Sequence, residues 1–235
     1  MDKSVASFED AVADIPDGAA LMIDGFAGPG GTPQNLIRAL RDHGARDLTI
    51  ISNTAGLASV MGFGTIPGSR PTDIGVLVEN NQVKKVVASF PVSPSPSNPT
   101  AFEKAYQRGE VELEVVPQGT LAERIRAGGA GIAAFYTPTG AGTLIADGKE
   151  TRVFDGRQHI MELGLKADFA LLRAHKSDTM GNTVYRGTSR NFNAVMATAA
   201  AVTILEVDAI VQPGDLEPGG VHTPGIYVNR IVQIA

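Results

Sequence analysis

The residue types able to do chemistry in this chain fall into three groups. The first is the glycine-rich stretch Asp24-Gly-Phe-Ala-Gly-Pro-Gly-Gly-Thr-Pro33. It follows an apolar run, Ala19 to Ile23, that reads as a buried strand. It precedes a helix with an apolar stripe at Leu36, Ile37 and Leu40, closed by Gly44. Thr32 stands where an N-cap belongs and Pro33 where a first helical residue belongs. Backbone N–H groups at such a turn can face a ligand. The helix dipole favours an anion there, and missing Cβ atoms let the ligand come close. The second group is Asn53 and Gln118, each just past the end of a predicted strand, where an open parallel sheet binds its ligands. Their neutral amides can donate hydrogen bonds to a carboxylate or thioester oxygen, although an isolated Asn or Gln more often only caps a turn. The third is a set of glutamates without catalytic surroundings. Glu79 falls in the turn before a strand, Glu123 in a Thr-x-x-Glu box, and Glu217 in a turn-rich tail.

Two nucleotide motifs are excluded at the glycine stretch. It has no Gly-Lys-Ser/Thr ending, so it is no triphosphate loop. Its spacing, Gly-x-x-Gly-x-Gly-Gly, is not the dinucleotide Gly-x-Gly-x-x-Gly. Composition narrows the field further. The chain of 235 residues has no cysteine, so it carries neither a disulfide framework nor thiol chemistry. Its net charge of −5, without a basic cluster, argues against nucleic acid as a partner. The four histidines lack metal-ligand spacing, so no metal site is expected. No apolar run is long enough to span a membrane, and the start lacks a signal peptide's apolar centre. These features point to a cytoplasmic protein.

The elements that must hold these residues follow a repeating order. Ser7 begins a short amphipathic helix with Phe8, Val12 and Ile15 on one side. Predicted strands run from Leu48 to Ser52, Val83 to Ser89 and Val111 to Val116. Thr100/Glu103 and Thr120/Glu123 have the spacing of capping boxes, and the helices they would start end at Gly109 and at Gly128-Gly129. Repeated strand–helix units predict an α/β fold, a doubly wound and mostly parallel sheet with helices on both faces. After Phe135 two Asp-Gly pairs, at Asp147 and Asp155, suggest a small β-hairpin insertion between about Gly142 and Glu162. Phe169 to Ala174 returns to a strand, Phe192 to Ala200 reads as a helix, and Val202 to Val207 as a last strand. With no break in composition, residues 1–235 are expected to form a single domain.

Two stretches carry a family resemblance. The glycine stretch resembles the signature of the A (alpha) subunit of family I CoA-transferases, with Asp24 in place of the first glycine and one extra residue between Phe26 and Pro33. Pro117-Gln-Gly-Thr-Leu-Ala-Glu-Arg-Ile-Arg-Ala-Gly-Gly-Ala-Gly131 is similar, nearly word for word, to the A-subunit block of 3-oxoacid CoA-transferases. The similarity continues at Ala134-Phe-Tyr-Thr-Pro-Thr-Gly-Ala-Gly-Thr143, at Gly181-Asn182 and at Ser189-Arg-Asn-Phe-Asn193, spanning roughly residues 15 to 230.

The resemblance implies a heteromeric enzyme that moves CoA from an acyl-CoA, such as succinyl-CoA, to a 3-oxo acid or another short carboxylic acid. It implies a glutamyl-CoA thioester, formed on the partner B (beta) subunit, because the family's Ser-Glu-Asn-Gly motif is missing here. No catalytic nucleophile is therefore expected in this chain. Gly25, Phe26, Ala27, Gly28, Pro29, Gly30 and Gly31 would line the CoA or acyl pocket. Gln118 and Asn53 would orient the acid or thioester, and Gly128, Gly129, Ala130 and Gly131 would allow close backbone approach. Coenzyme A enters as a substrate, with no permanently bound cofactor. Two other readings of the glycine turn are a sugar-phosphate isomerase or deaminase, and a non-catalytic sensor of acyl-CoA or sugar phosphate. The first needs an acid or base in the chain near the turn, and the second a DNA-binding region.

Overall fold

The computed structural model describes residues 1–26, 31–61 and 72–234. In chain order the elements are α1 (Phe8–Val12), β1 (Ala20–Ile23), α2 (Gln34–His43), β2 (Leu48–Ile51), α3 (Ala58–Met61), α4 (Gly75–Glu79), β3 (Val83–Ala88), α5 (Ala101–Gln107), β4 (Glu112–Val115) and α6 (Gln118–Gly129). Then come β5 (Ala134–Thr137), β6 (Thr151–Phe154), β7 (Arg157–Leu163), β8 (Ala167–Asp178), β9 (Thr183–Val184), α7 (Asn193–Met196), β10 (Ala200–Val211) and β11 (Arg230–Gln233). The main sheet has the order β11-β10-β8-β1-β2-β3-β4, and every neighbouring pair in that path is parallel. Among the described residues β9 alone adds a strand to it antiparallel, beside the far end of β8. The expected doubly wound sheet is therefore present, with β1 at its centre.

Helices cover both faces because β1 is apolar on both. Leu21 and Ile23 join one core, with Leu36, Ile37 and Leu40 of α2 and Phe102 of α5. Met22 points the other way, into a second core with Leu121 and Ile125 of α6 and Met196 of α7. Each of these fully buried side chains contributes about 1.5–3 kcal/mol by leaving water.

The predicted insertion is larger than a hairpin. β5, β7 and β6 form a separate three-stranded antiparallel sheet. Only the second Asp-Gly pair makes its hairpin turn: Asp155 and Gly156, at φ 49° and 74°, join β6 to β7. Asp147-Gly148 instead follows a 3-10 turn at Leu144–Ala146. Buried charge ties this small sheet to α6. The Arg124 guanidinium lies 2.8 Å from Glu114 and 3.7 Å from Glu162, and Lys149 reaches Glu162 at 2.6 Å.

Two predicted helix starts hold and two shift. The Ser7 hydroxyl accepts from the Asp10 N–H, and Thr100 and Glu103 form the full capping box. Thr120 and Glu123 do not form one, because the helix has already begun at Gln118 behind Pro117. Thr32 does not cap α2 with its side chain either; the helix starts at Gln34 with no side chain of its own capping it. The predicted helix from Phe192 to Ala200 shortens to α7, since Ala200 already belongs to β10.

Candidate active site at the centre of the sheet

The chain leaves β1 toward β2, β3 and β4 on one side, while β8, β10 and β11 extend the sheet on the other. The order therefore reverses between β1 and β8. A crevice opens at such a switch point beyond the carboxyl ends of the strands. Three predicted site residues meet beside it. Asn53 follows β2, Gln118 opens α6 after β4, and Phe26 follows β1. The Gln118 side-chain amide donates to the Asn53 carbonyl oxygen at 2.9 Å. Asn53 is buried and its backbone is fixed, since its main-chain oxygen accepts from Ser89 and Phe90 N–H at 3.1 and 2.9 Å. Each amide nitrogen has two hydrogens, so the pair keeps donors beyond the bond that joins it.

Two hollows flank Phe26. One, of about 340 Å³, is lined by Phe26, Asn53, Thr54, Leu57, Ser89, Phe90 and Gln118. The other, of about 360 Å³, is lined by Phe26, Gln118, Gly119, Ala122, Asn191, Phe192 and Val195. Each is mostly apolar with a few amide and hydroxyl groups, the usual character of a small-molecule site. Phe26 is 42 % exposed and its ring lies 6.3 Å from that of Phe192. A depression of similar size between α4 and α5, near Glu79 and Lys104, shares none of these residues.

The described ends of the glycine stretch bond to the protein itself. Ala27, Gly28, Pro29 and Gly30 lie outside the described residues. At its start the Phe26 N–H is turned inward, onto the Asp24 carboxylate at 3.2 Å. The N-terminus of α2 is also taken: the Glu206 carboxylate on β10 accepts from Asn35 and Leu36 N–H at 2.8 and 3.0 Å. That carboxylate occupies the positive end of the helix dipole from inside the protein. Gly25 sits tightly, since a Cβ there would come 3.0 Å from the Ser52 hydroxyl. Its carbonyl accepts from the Thr54 hydroxyl at 2.8 Å. Gly31 is buried, and a Cβ there would lie 2.4 Å from the Asn191 amide nitrogen.

The second glycine group does not join this site. Gly128 and Gly129 close α6, a helix of twelve residues that begins at Gln118 and so runs about 18 Å. A Cβ on Gly128 would lie 1.7 Å from the Leu165 carbonyl oxygen, and one on Gly129 2.4 Å from the Thr198 hydroxyl. Their close approach is to the chain itself. Ala130 is the C-cap and Gly131, at φ 75°, ends the helix, with Ile132 N–H returning to the Ala127 carbonyl at 2.8 Å.

Against known proteins, residues 5–233 match the family model described as coenzyme A transferase. The chain belongs to that family. Over its whole length it is 47 % identical to a Pseudomonas putida protein named as the A subunit of 3-oxoadipate CoA-transferase, covering 95 % of it. It is 49 % identical over 218 residues to the A subunit of the succinyl-CoA:3-ketoacid coenzyme A transferase of Xanthomonas campestris pv. campestris, covering 93 % of this chain and 83 % of that one. The fold is also that of an acyl-CoA transferase (YdiF) from Escherichia coli O157:H7, with a TM-score of 0.81 at 23 % identity. All of this chain aligns there, with 47 % of that longer polypeptide.

Within this coenzyme A transferase chain, no glutamate lines either hollow among the described residues. Glu123 is an exposed partner of Arg126 on α6, at 2.9 Å. Glu79 ends α4, and Glu217 precedes a 3-10 turn at Pro218–Gly220. Sequence reasoning misses Asp24 and Asn193 as parts of the site's frame. Asp24 is visible as the departure from the family's first glycine, and Asn193 ends a similar block without a role.

Asp24 and Glu206 are both fully enclosed, and burial pushes each carboxyl up to about 7 against the pull of the N–H groups bonded to it. Their unfolded values lie near the ordinary 3.8 and 4.5. The folded chain thus binds these protons more tightly, and the stability they contribute is lost as pH rises from about 4.5 through about 7. The melting temperature of Asp24→Asn/Glu206→Gln should therefore fall less steeply across that window than the parent's. Parallel curves for the two proteins would contradict the assignment.

Proposed function

We propose that this chain is the A subunit of a heteromeric CoA-transferase, one domain over residues 1–235, acting in the cytoplasm. It helps move CoA from an acyl-CoA such as succinyl-CoA to a 3-oxo acid or another short carboxylic acid. The observation that carries the reading is the Gln118–Asn53 amide pair beside a hollow of about 340 Å³ whose described lining holds no carboxylate. Such a wall orients a carboxylate or thioester, and the attacking group comes from the B subunit. Two relatives bear the name of an A subunit, and the chain matches about half of a longer transferase polypeptide; both support the same division.

The reaction then runs in balanced exchanges. A glutamate carboxylate supplied by the B subunit first attacks the thioester carbonyl and CoA thiolate leaves, giving an acyl-glutamyl anhydride. The thiolate attacks the glutamyl carbonyl, releasing the first acid and leaving a glutamyl-CoA thioester. An acceptor carboxylate attacks that thioester and expels the thiolate, which takes the new acyl group and frees the glutamate. Covalent catalysis of this kind keeps the thioester's energy away from water. Gln118 and Asn53 donate toward the carbonyl oxygen as charge develops on it. Phe26, Leu57 and Phe90 supply apolar surface for the acyl chain. Coenzyme A is a substrate here, and no permanently bound cofactor takes part.

The test is reconstitution. Alone, the purified chain should fold, as circular dichroism would show, and transfer no CoA between acids. Adding its B subunit should raise transfer until the two are equimolar. Full transfer by the chain alone would overturn the proposal.

A further inference from the structure

The Asn193 side chain has an orientation that its partners dictate. Its carbonyl oxygen accepts from the Arg173 backbone N–H at 2.9 Å, so its amide nitrogen must face the other way. There it meets three acceptors: the Asp24 carboxylate at 2.6 Å, the Ser189 carbonyl at 3.0 Å and the Gly31 carbonyl at 3.1 Å. Asp24 opens the glycine-rich stretch and Gly31 closes it. Both ends of that stretch are therefore tied to one nitrogen, which β8 and the start of α7 hold in place. Asp24 and Asn193 are fully buried, so water does not compete for these bonds.

We propose that Asp24 is a positioning residue for the acyl site: paired with Asn193, it fixes the start of the glycine stretch against its end and so sets where Phe26 stands between the two hollows. The second Asp24 oxygen accepts from the Phe26 N–H at 3.2 Å, which links the clamp directly to the lining residue. The idea rests on the hollow beside Phe26 being the acyl site. The signature that this stretch resembles has glycine at position 24, and glycine can make neither bond.

Removing the carboxylate leaves the Asn193 amide nitrogen with two carbonyl acceptors for its two hydrogens, and the Phe26 N–H, which loses its acceptor, belongs to a residue that is 42 % exposed and can turn to water. Asp24→Gly should therefore fold. Asp24→Asn keeps the volume and one acceptor oxygen.

Both variants and the parent are assembled with the B subunit. In each, amide hydrogen exchange is followed in peptides covering residues 24–33, and kcat and KM for acyl-CoA are measured. In Asp24→Gly, exchange there should quicken about tenfold while peptides from β3 and α5 stay as in the parent. KM should rise about tenfold with kcat changed less than threefold, and Asp24→Asn should fall between. Unchanged exchange in Asp24→Gly would overturn the clamp, and so would faster exchange with the parent's KM. Loss of kcat in proportion to a fall in melting temperature would reduce Asp24 to a packing residue and equally overturn it. A parent assembly that transfers no CoA would instead refute the function proposed above, while exchange would still decide the clamp.

Discussion

Gln118→Ala, assembled with the B subunit, should lower CoA transfer about a hundredfold while moving the melting temperature by no more than about 2 °C. The rate loss follows from the role proposed for Gln118, a donor toward the developing oxyanion, whose removal costs roughly two to three powers of ten in comparable sites. The small stability change follows from position. Gln118 is an exposed first residue of α6, and its amide bonds to Asn53. Helix α6 does not depend on it, because Leu121 and Ile125 hold that helix in the core. Transfer rates and thermal melts of parent and variant check the prediction. A large melting shift with a proportionate loss of rate would make Gln118 a turn residue and nothing more.

Gly128→Ala should be the most damaging single-methyl change among the described glycines. The added Cβ would lie 1.7 Å from the Leu165 carbonyl oxygen, 2.5 Å from its carbon and 3.1 Å from its nitrogen. All three are backbone atoms at the entry to β8, so no flexible side chain can swing aside. Overpacking in a well-filled interior costs about 1–3 kcal/mol, and more where backbone must move. The expected result is a loss of at least about 3 kcal/mol in denaturant unfolding, or failure to accumulate as folded protein. Gly131→Ala, at a helix end with open space around it, should lose only about 1 kcal/mol through its positive φ. Equal stability for parent and Gly128→Ala would contradict the packing described.

What is legible in the sequence is local. The apolar run at Ala19 marks β1, the helix expected at Ser7 starts there, and Thr100/Glu103 has the partners its spacing predicts. Strand–helix alternation leads to the parallel sheet, and the ends of its strands place Asn53 and Gln118 together. What fails depends on distance or register. The carboxylate at the start of α2 comes from Glu206, about 170 residues away, and no local pattern announces it. Thr120/Glu123 has the same spacing as Thr100/Glu103, yet the helix starts behind Pro117, too early for a box. Gly128 and Gly129 look like a ligand's approach because glycine says only that something comes close. Leu165 and Thr198 are what come close. Asp24 stands out as a departure from the family signature, but its partner Asn193 lies on α7, and only the fold joins them.

The central claim is that this chain supplies a wall of the site and its partner supplies the nucleophile. Trapping the covalent intermediate tests it most directly. Acyl-CoA is added to the chain assembled with its B subunit, and borohydride then reduces the glutamyl-CoA thioester. Mass spectrometry locates the altered glutamate. The prediction is one reduced glutamate, on the partner B subunit, which does not form when acyl-CoA is omitted. A reduced glutamate at Glu79, Glu123 or Glu217 of this chain would contradict it.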